Sequence, residues 1–199
     1  MSERSFRSCA TVAMLSVAAI CLSSGLAVAQ QERGQATEAS PPSATSAEEA
    51  RNKADDAYKK QDYAAAVRWH RIAAGQGDIK SQIALGDLYS QGQGIHPDYA
   101  EAFAWYMKAA EQGSDEAQND VGFFYLSGWG VQRNYTEAMR WLRKAADQGN
   151  EVAQRNIGIV YLQGLGVRKD RHEAIRWLRK AAEKGDEDAK EALKYLGVK

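Results

Sequence analysis

This chain of 199 residues is poor in the residues that staple or chelate. It has two cysteines, three prolines and three histidines. Both cysteines, Cys9 and Cys21, lie within the first thirty residues, so the rest of the chain has no thiol, no disulfide and no Cys-based metal site. It also lacks an excess of either charge: Lys plus Arg and Asp plus Glu both total 26. A balanced chain offers no footprint for nucleic acid or anionic lipid, and nucleic acid is not expected as a partner. Ser-x-x-Lys, His-Glu-x-x-His, Gly-x-Ser-x-Gly and the Walker signature are absent as well. No catalytic residue, cofactor or metal ligand emerges, and the chain is not expected to be an enzyme.

What is present begins with an export signal. Arg4 and Arg7 form a basic start, Thr11 to Leu22 is almost wholly apolar, and Ala27-Val28-Ala29 places small residues at a cleavage site. Residues 1–29 are read as a secretory signal peptide, too short to span a membrane stably. A lipoprotein signal fails because Ile20 precedes Cys21 where a small residue is required. Cleavage after Ala29 would remove two arginines and one glutamate, leaving a net charge of −1. The product would be periplasmic or secreted, in a bacterial cell, with no integral membrane segment. Residues 30–46, rich in Gln, Ser, Thr and Ala around Pro41-Pro42, contain too little apolar surface to offset ordering and are read as a flexible linker.

Beyond that, one period governs the chain. Trp69, Trp105, Trp141 and Trp177 are each 36 residues apart. Each tryptophan segment opens on Asp62, Asp98, Asn134 or Asp170, side chains that accept hydrogen bonds from free N–H groups at a helix start. Each closes near Gly77, Gly113, Gly149 or Gly185, suited to a left-handed helix end. Between these limits Ala138, Met139, Trp141, Leu142, Ala145 and Ala146 recur at helical spacing and form one apolar face. A second segment places Ala117, Val121, Phe124 and Tyr125 on a face, matched by Ala153, Ile157, Val160 and Tyr161. Gly86, Gly122 and Gly158 sit inside that segment at a cost of about 1 kcal/mol each against Ala, which implies helices crossing at close range.

No single helix pair can bury these stripes, but a stack of copies can. The expected fold is all-α: a right-handed α/α solenoid of helix-turn-helix repeats. Its expected units are an N-terminal tetratricopeptide-like cap at 47–78, repeats at 79–114, 115–150 and 151–186, and a capping helix at 187–199. The loop between Tyr58 and Asp62 in the first unit is shorter than those that follow.

Several features of the full copies resemble the Sel1-like repeat family, relatives of the tetratricopeptide repeats. These are the Ala-Gln pairs at Ala117-Gln118 and Ala153-Gln154, and the Val121-Gly122 step with Tyr125 three residues on. The Gly-x-Gly loops and the helix carrying Trp141, Ala145-Ala146 and Gly149 complete the set. The resemblance covers about 79–186 well and 47–78 less closely. It implies an adaptor or scaffold that binds proteins, with many exported bacterial members. Some cysteine-rich members have been linked to penicillin binding or hydrolysis, an inference that does not carry over to a chain without mature cysteines.

The loops Gly92-Gln93-Gly94, Gly128-Trp129-Gly130 and Gly164-Leu165-Gly166 join helix to helix and read as turns, not phosphate cradles. His70 shares a register slot with Tyr106, Leu142 and Leu178 and reads as a half-buried packing residue. His96 and His172 read as loop and helix-start residues. Asn134-Tyr135-Thr136 is a formal glycosylation sequon built from framework residues.

Candidate binding residues are sought where the copies differ. On the first helix of each repeat, Asn119, Phe123 and Leu126, then Arg155, Ile159 and Leu162, then Tyr195 form an apolar face flanked by a polar residue and an arginine. This face would line the concave side of the superhelix. It reads either as packing between copies or as a partner groove with aromatic and Arg anchors. Trp129 joins it, because Gln93 and Leu165 occupy its slot elsewhere. Charge reversal at Arg155 is expected to weaken partner binding and leave unfolding nearly unchanged. The expected function is an exported protein-interaction module of the cell envelope, its partner another protein such as a membrane sensor or an envelope assembly. The alternatives are a cell-wall glycan binder and, more remotely, a β-lactam- or peptidoglycan-acting enzyme.

Overall fold

The computed structural model describes residues 45–198. Among them are nine α-helices and no strand: α1 (Ala47–Lys59), α2 (Tyr63–Gly75), α3 (Ile79–Gln91), α4 (Tyr99–Glu111), α5 (Asp115–Ser127), α6 (Tyr135–Asp147), α7 (Glu151–Gln163), α8 (Arg171–Glu183) and α9 (Glu187–Tyr195). Every helix packs on the one before and the one after it, which is the order of a solenoid. The signal segment and linker residues 30–44 lie outside the described residues. The last two linker positions belong to the fold: the Ser46 side chain caps α1, and the Thr45 carbonyl accepts from the Gln76 amide. No described helix is long and apolar enough to cross a membrane.

The helices start and stop where side-chain chemistry dictates. Asp78, Ser114, Asn150 and Asp186 each accept a hydrogen bond from the N–H three residues on. Asp98, Asn134 and Asp170 each accept from two N–H groups at the start of α4, α6 and α8. The first helices end on Gly92, Gly128 and Gly164, all left-handed (φ 69°, 77° and 72°), so the Gly-x-Gly loops are helix caps. The second glycine of the loop answers to space: a Cβ on Gly130 would lie 2.2 Å from the carbonyl carbon of Tyr99. Each such loop therefore presses on the first turn of the preceding repeat's second helix. In the short α1–α2 loop, Gln61 takes the left-handed conformation instead (φ 62°).

Packing explains the mid-helix glycines. A Cβ on Gly122 would lie 2.7 Å from Leu142 Cγ, one on Gly86 would strike the Tyr106 ring, and one on Gly158 would strike Leu178. The two helices of a repeat cross with no side chain between them, and the approach offsets the propensity cost. Leu85, Val121, Ile157, Leu142 and Leu178 are fully buried along this seam.

A ladder of amides ties successive copies. Gln82, Gln118 and Gln154 each donate to a carbonyl in the last turn of the preceding second helix: Ala74, Ala110 and Ala146, at 3.2, 3.2 and 3.3 Å. Gln112 and Gln148 then donate to Gln82 and Gln118 at 2.7 and 2.8 Å. In the third repeat the donor's slot holds Lys184, which bonds the Gly149 carbonyl, and the buried Gln154 Oε1 is left without a partner.

Candidate functional site

The first-helix face divides into residues that hold the stack and residues that remain accessible. Asn119 is 7% exposed, and its Oδ1 accepts from Asn156 Nδ2 at 2.9 Å, bridging α5 to α7. Arg155 is equally buried. Its guanidinium pairs with Asp186, the residue capping α9, and lies 3.1 Å from Asp188. Leu126 is buried in the core of the second and third repeats. These three face the adjacent copy, so they do not form exposed anchors. The expectation that Arg155 could be reversed with little effect on unfolding is overturned: its removal would strand the buried Asp186 carboxylate.

Phe123, Ile159 and Leu162 are half-buried, and Leu162, like Leu193 and Leu196, packs against the C-terminal cluster of Leu178, Ala181 and Ala189. Tyr195, on α9, is 92% exposed. Trp129 is 41% exposed and is not alone. Its ring lies 5.1 Å from that of Tyr99, tilted by 32°, and 5.5 Å edge-on from that of Phe123. The structure thus joins two candidates, Phe123 and Trp129, and adds Tyr99, which the sequence reading missed. Tyr99 occupies the slot of Tyr63 and Tyr135 and looks like framework. Those two are half-buried, whereas Tyr99 is 41% exposed. Glycines on both sides of Trp129 bring the loop onto the α4 start, and the indole covers the phenol there.

The titratable groups near this face serve packing. The Tyr106 hydroxyl donates to Asp87 at 2.7 Å, and burial, reinforced by the Asp87 and Asp120 carboxylates, raises its pKa well above the usual phenol range. His70 is more buried than expected, with Nδ1 3.2 Å from Ser81 Oγ. Burial lowers its pKa against the opposing pull of Asp55 and Asp78. This serine–histidine pair is closed to substrate, because Ser81 is fully buried. Burial tends to raise Asp78, but hydrogen bonds from the Ser81 N–H and hydroxyl, with Arg51 beside it, bring its pKa below the usual value. The Asn134 side-chain Oδ1 accepts from the Thr136 and Glu137 N–H groups, so the sequon asparagine is a helix cap. No cluster of three metal-ligating side chains occurs among the described residues.

A model of the Sel1 repeat matches residues 55–78, 79–114, 115–150 and 152–186, well over half the chain. The chain belongs to the Sel1 repeat family. Among solved structures it is similar to a protective antigen of uropathogenic Escherichia coli strains with an SLR fold. The identity is 35% over 76% of this chain and 33% of that one, and the TM-score is 0.72. It is also similar to a Sel1 repeat protein from Oxalobacter formigenes, at 43% identity over 63% of this chain and 50% of that one, with a TM-score of 0.61. The chain therefore spans a third and a half of the lengths of these two Sel1 proteins. A search of curated proteins returned no match. Sel1 repeat proteins generally mediate protein–protein interaction, and Sel1 solenoids are typically non-catalytic.

Proposed function

We propose that this Sel1 solenoid is an exported interaction module of the cell envelope, periplasmic or secreted. It binds a partner protein along the accessible part of its first-helix face and the adjoining loop. The observation that carries the reading is the exposed pair Trp129 and Tyr99 with Phe123 edge-on beneath it. Repeat geometry accepts Gln93 or Leu165 in the tryptophan's slot, so packing alone does not call for an indole. Large, rigid aromatic side chains supply contact area at low entropic cost and dominate interface energetics. Ile159, Leu162 and Tyr195 extend the same face toward the C-terminal end, where a membrane sensor or an envelope assembly would be engaged. Export rests on the segment from Arg4 to Ala29.

The same aromatic pair favours one second reading, a cell-wall glycan binder, because flat rings also cover the apolar faces of sugars. Both readings can be tested with Trp129→Ala. Cross-linking of the purified chain into envelope extract should recover a protein set that the variant loses, while the melting temperature stays within a few degrees. Equal recovery by the variant would remove the aromatic site from the function. Calorimetric binding of peptidoglycan fragments, abolished by the same substitution, would move the assignment to glycan.

A further inference from the structure

The last second helix, α8, presents a face whose central position is buried in α2 and α6 but only half-buried here. In α6 the corresponding positions are Tyr135, Met139 and Arg143. A Cβ on Gly166 of the next loop would lie 2.4 Å from Tyr135 Cβ, and Met139 is buried. Arg143 donates to the Tyr161 hydroxyl at 3.3 Å, as Arg71 donates to Tyr89 at 2.6 Å two units earlier in the stack. In α8 the register reads Arg171, Ile175 and Arg179, and the slot of Tyr161 falls on Gly197. The phenol that would receive Arg179 is missing, and that guanidinium has no acceptor among the described residues. Its neighbours are engaged: Arg171 donates to the Leu196 carbonyl at 2.5 Å, Arg176 pairs with Glu173, and Lys180 lies 4.4 Å above the Trp177 ring.

These side chains line a cleft of about 540 Å³ whose apolar part comes from Ile175 and Val198. A volume of that order suits a bound segment of chain. Lys194 stands in the register of Gly86, Gly122 and Gly158, so α9 lacks the close-approach glycine of the other first helices. We infer that this cleft is a docking site for a carboxylate-rich, partly apolar segment of a partner protein, with Arg179 as the anchor. A guanidinium fork matches a carboxylate, and the flanking cations raise the local concentration of acidic chain. Glu183 at the rim repels carboxylates there and fixes which way the segment lies. A cleft admits a chain where a bilayer plane cannot enter, and this favours a peptide over a lipid surface.

The inference rests on the interaction-module reading but is tested without a natural partner. The probe is a fluorescein-labelled octapeptide of alternating glutamate and leucine, titrated into the full chain by fluorescence polarisation. Binding is expected to weaken with salt and to fall at least about fivefold in Arg179→Gln. Arg68→Gln removes an exposed charge on α2 and should leave it unchanged. Arg179 is exposed, so an unaltered melting curve will show that the variant folds. The inference is overturned by no binding to the wild type, by equal binding to Arg179→Gln, or by an equal loss in Arg68→Gln. It also falls if the lysine–leucine counterpart binds as tightly, or if the chain binds phosphatidylglycerol vesicles but not the peptide. Trp129→Ala should bind the probe normally, so failure of the cleft and failure of the aromatic site remain distinguishable.

Discussion

The stretch from Arg140 to Ala146 on α6 and the stretch from Arg176 to Ala182 on α8 are identical in sequence. In α6 the tryptophan is buried with its Nε1 unpartnered, Ala146 is buried, and the second arginine reaches Tyr161. In α8 the tryptophan is half-buried and donates to Glu173, Ala182 is half-buried, and the second arginine is left in the cleft. Identical segments thus do different things because among the described residues α6 has both helices of a following repeat beyond it, whereas α8 is followed by α9. In a solenoid, each copy's environment is supplied by its neighbour.

The largest expected effect breaks this comparison directly. Met139→Arg places a charge inside the covered face and should cost about 3–5 kcal/mol. Ile175→Arg at the matching half-buried position should cost less, about 1 kcal/mol. Urea unfolding followed by tryptophan fluorescence measures both, and equal losses would show that the α8 face is covered too. Next comes Arg155→Ala, which strands Asp186 and should cost about 3 kcal/mol. Arg179→Ala should stay within about 0.5 kcal/mol of wild type in the same titration.

A smaller effect distinguishes the first unit from the later repeats through pH. Burial lowers the His70 pKa, so the folded state holds the imidazole neutral while the unfolded chain protonates near 6.5. The stability this provides is complete above that value and is lost as pH falls from it toward the lowered folded pKa. His70→Leu, which installs the residue found at 142 and 178, should flatten the decline of melting temperature below pH 6.5. Ser81 retains Asp78 as a partner in that variant. Asp78, whose pKa is depressed from 3.8, acts in a lower window: its contribution is present above that value and fades as pH drops through the folded pKa. A decline between pH 5 and 6.5 that persists in His70→Leu would assign the slope elsewhere. The smallest change is Gln61→Gly, which relieves a left-handed non-glycine residue and should add about 0.5 kcal/mol, read as a small rise in melting temperature.

Residues that vary between copies proved of two kinds. Asn119 and Arg155 differ from their counterparts and so looked like ligand contacts. Their partners differ as well: Asn119 meets Asn156 of the next copy, and Arg155 meets Asp186, the cap of the following helix α9. A helix-cap aspartate such as Asp186 gives no sign in sequence that its second oxygen holds a distant arginine. Trp129 stood out because nothing in the loop register calls for an aromatic, whereas Tyr99 was hidden inside a position where tyrosine recurs.

The sequence alone determined the helices, their caps, their period and the need to stack, because hydrogen-bonding caps, glycines and apolar spacing act within a few residues of where they occur. The three-dimensional packing decided which variable side chains are consumed between copies and which stay open, since that depends on residues 30 or more positions away. It also decided that the same arginine is bonded in α6 and has no acceptor among the described residues in α8, because only there does a glycine replace the receiving tyrosine.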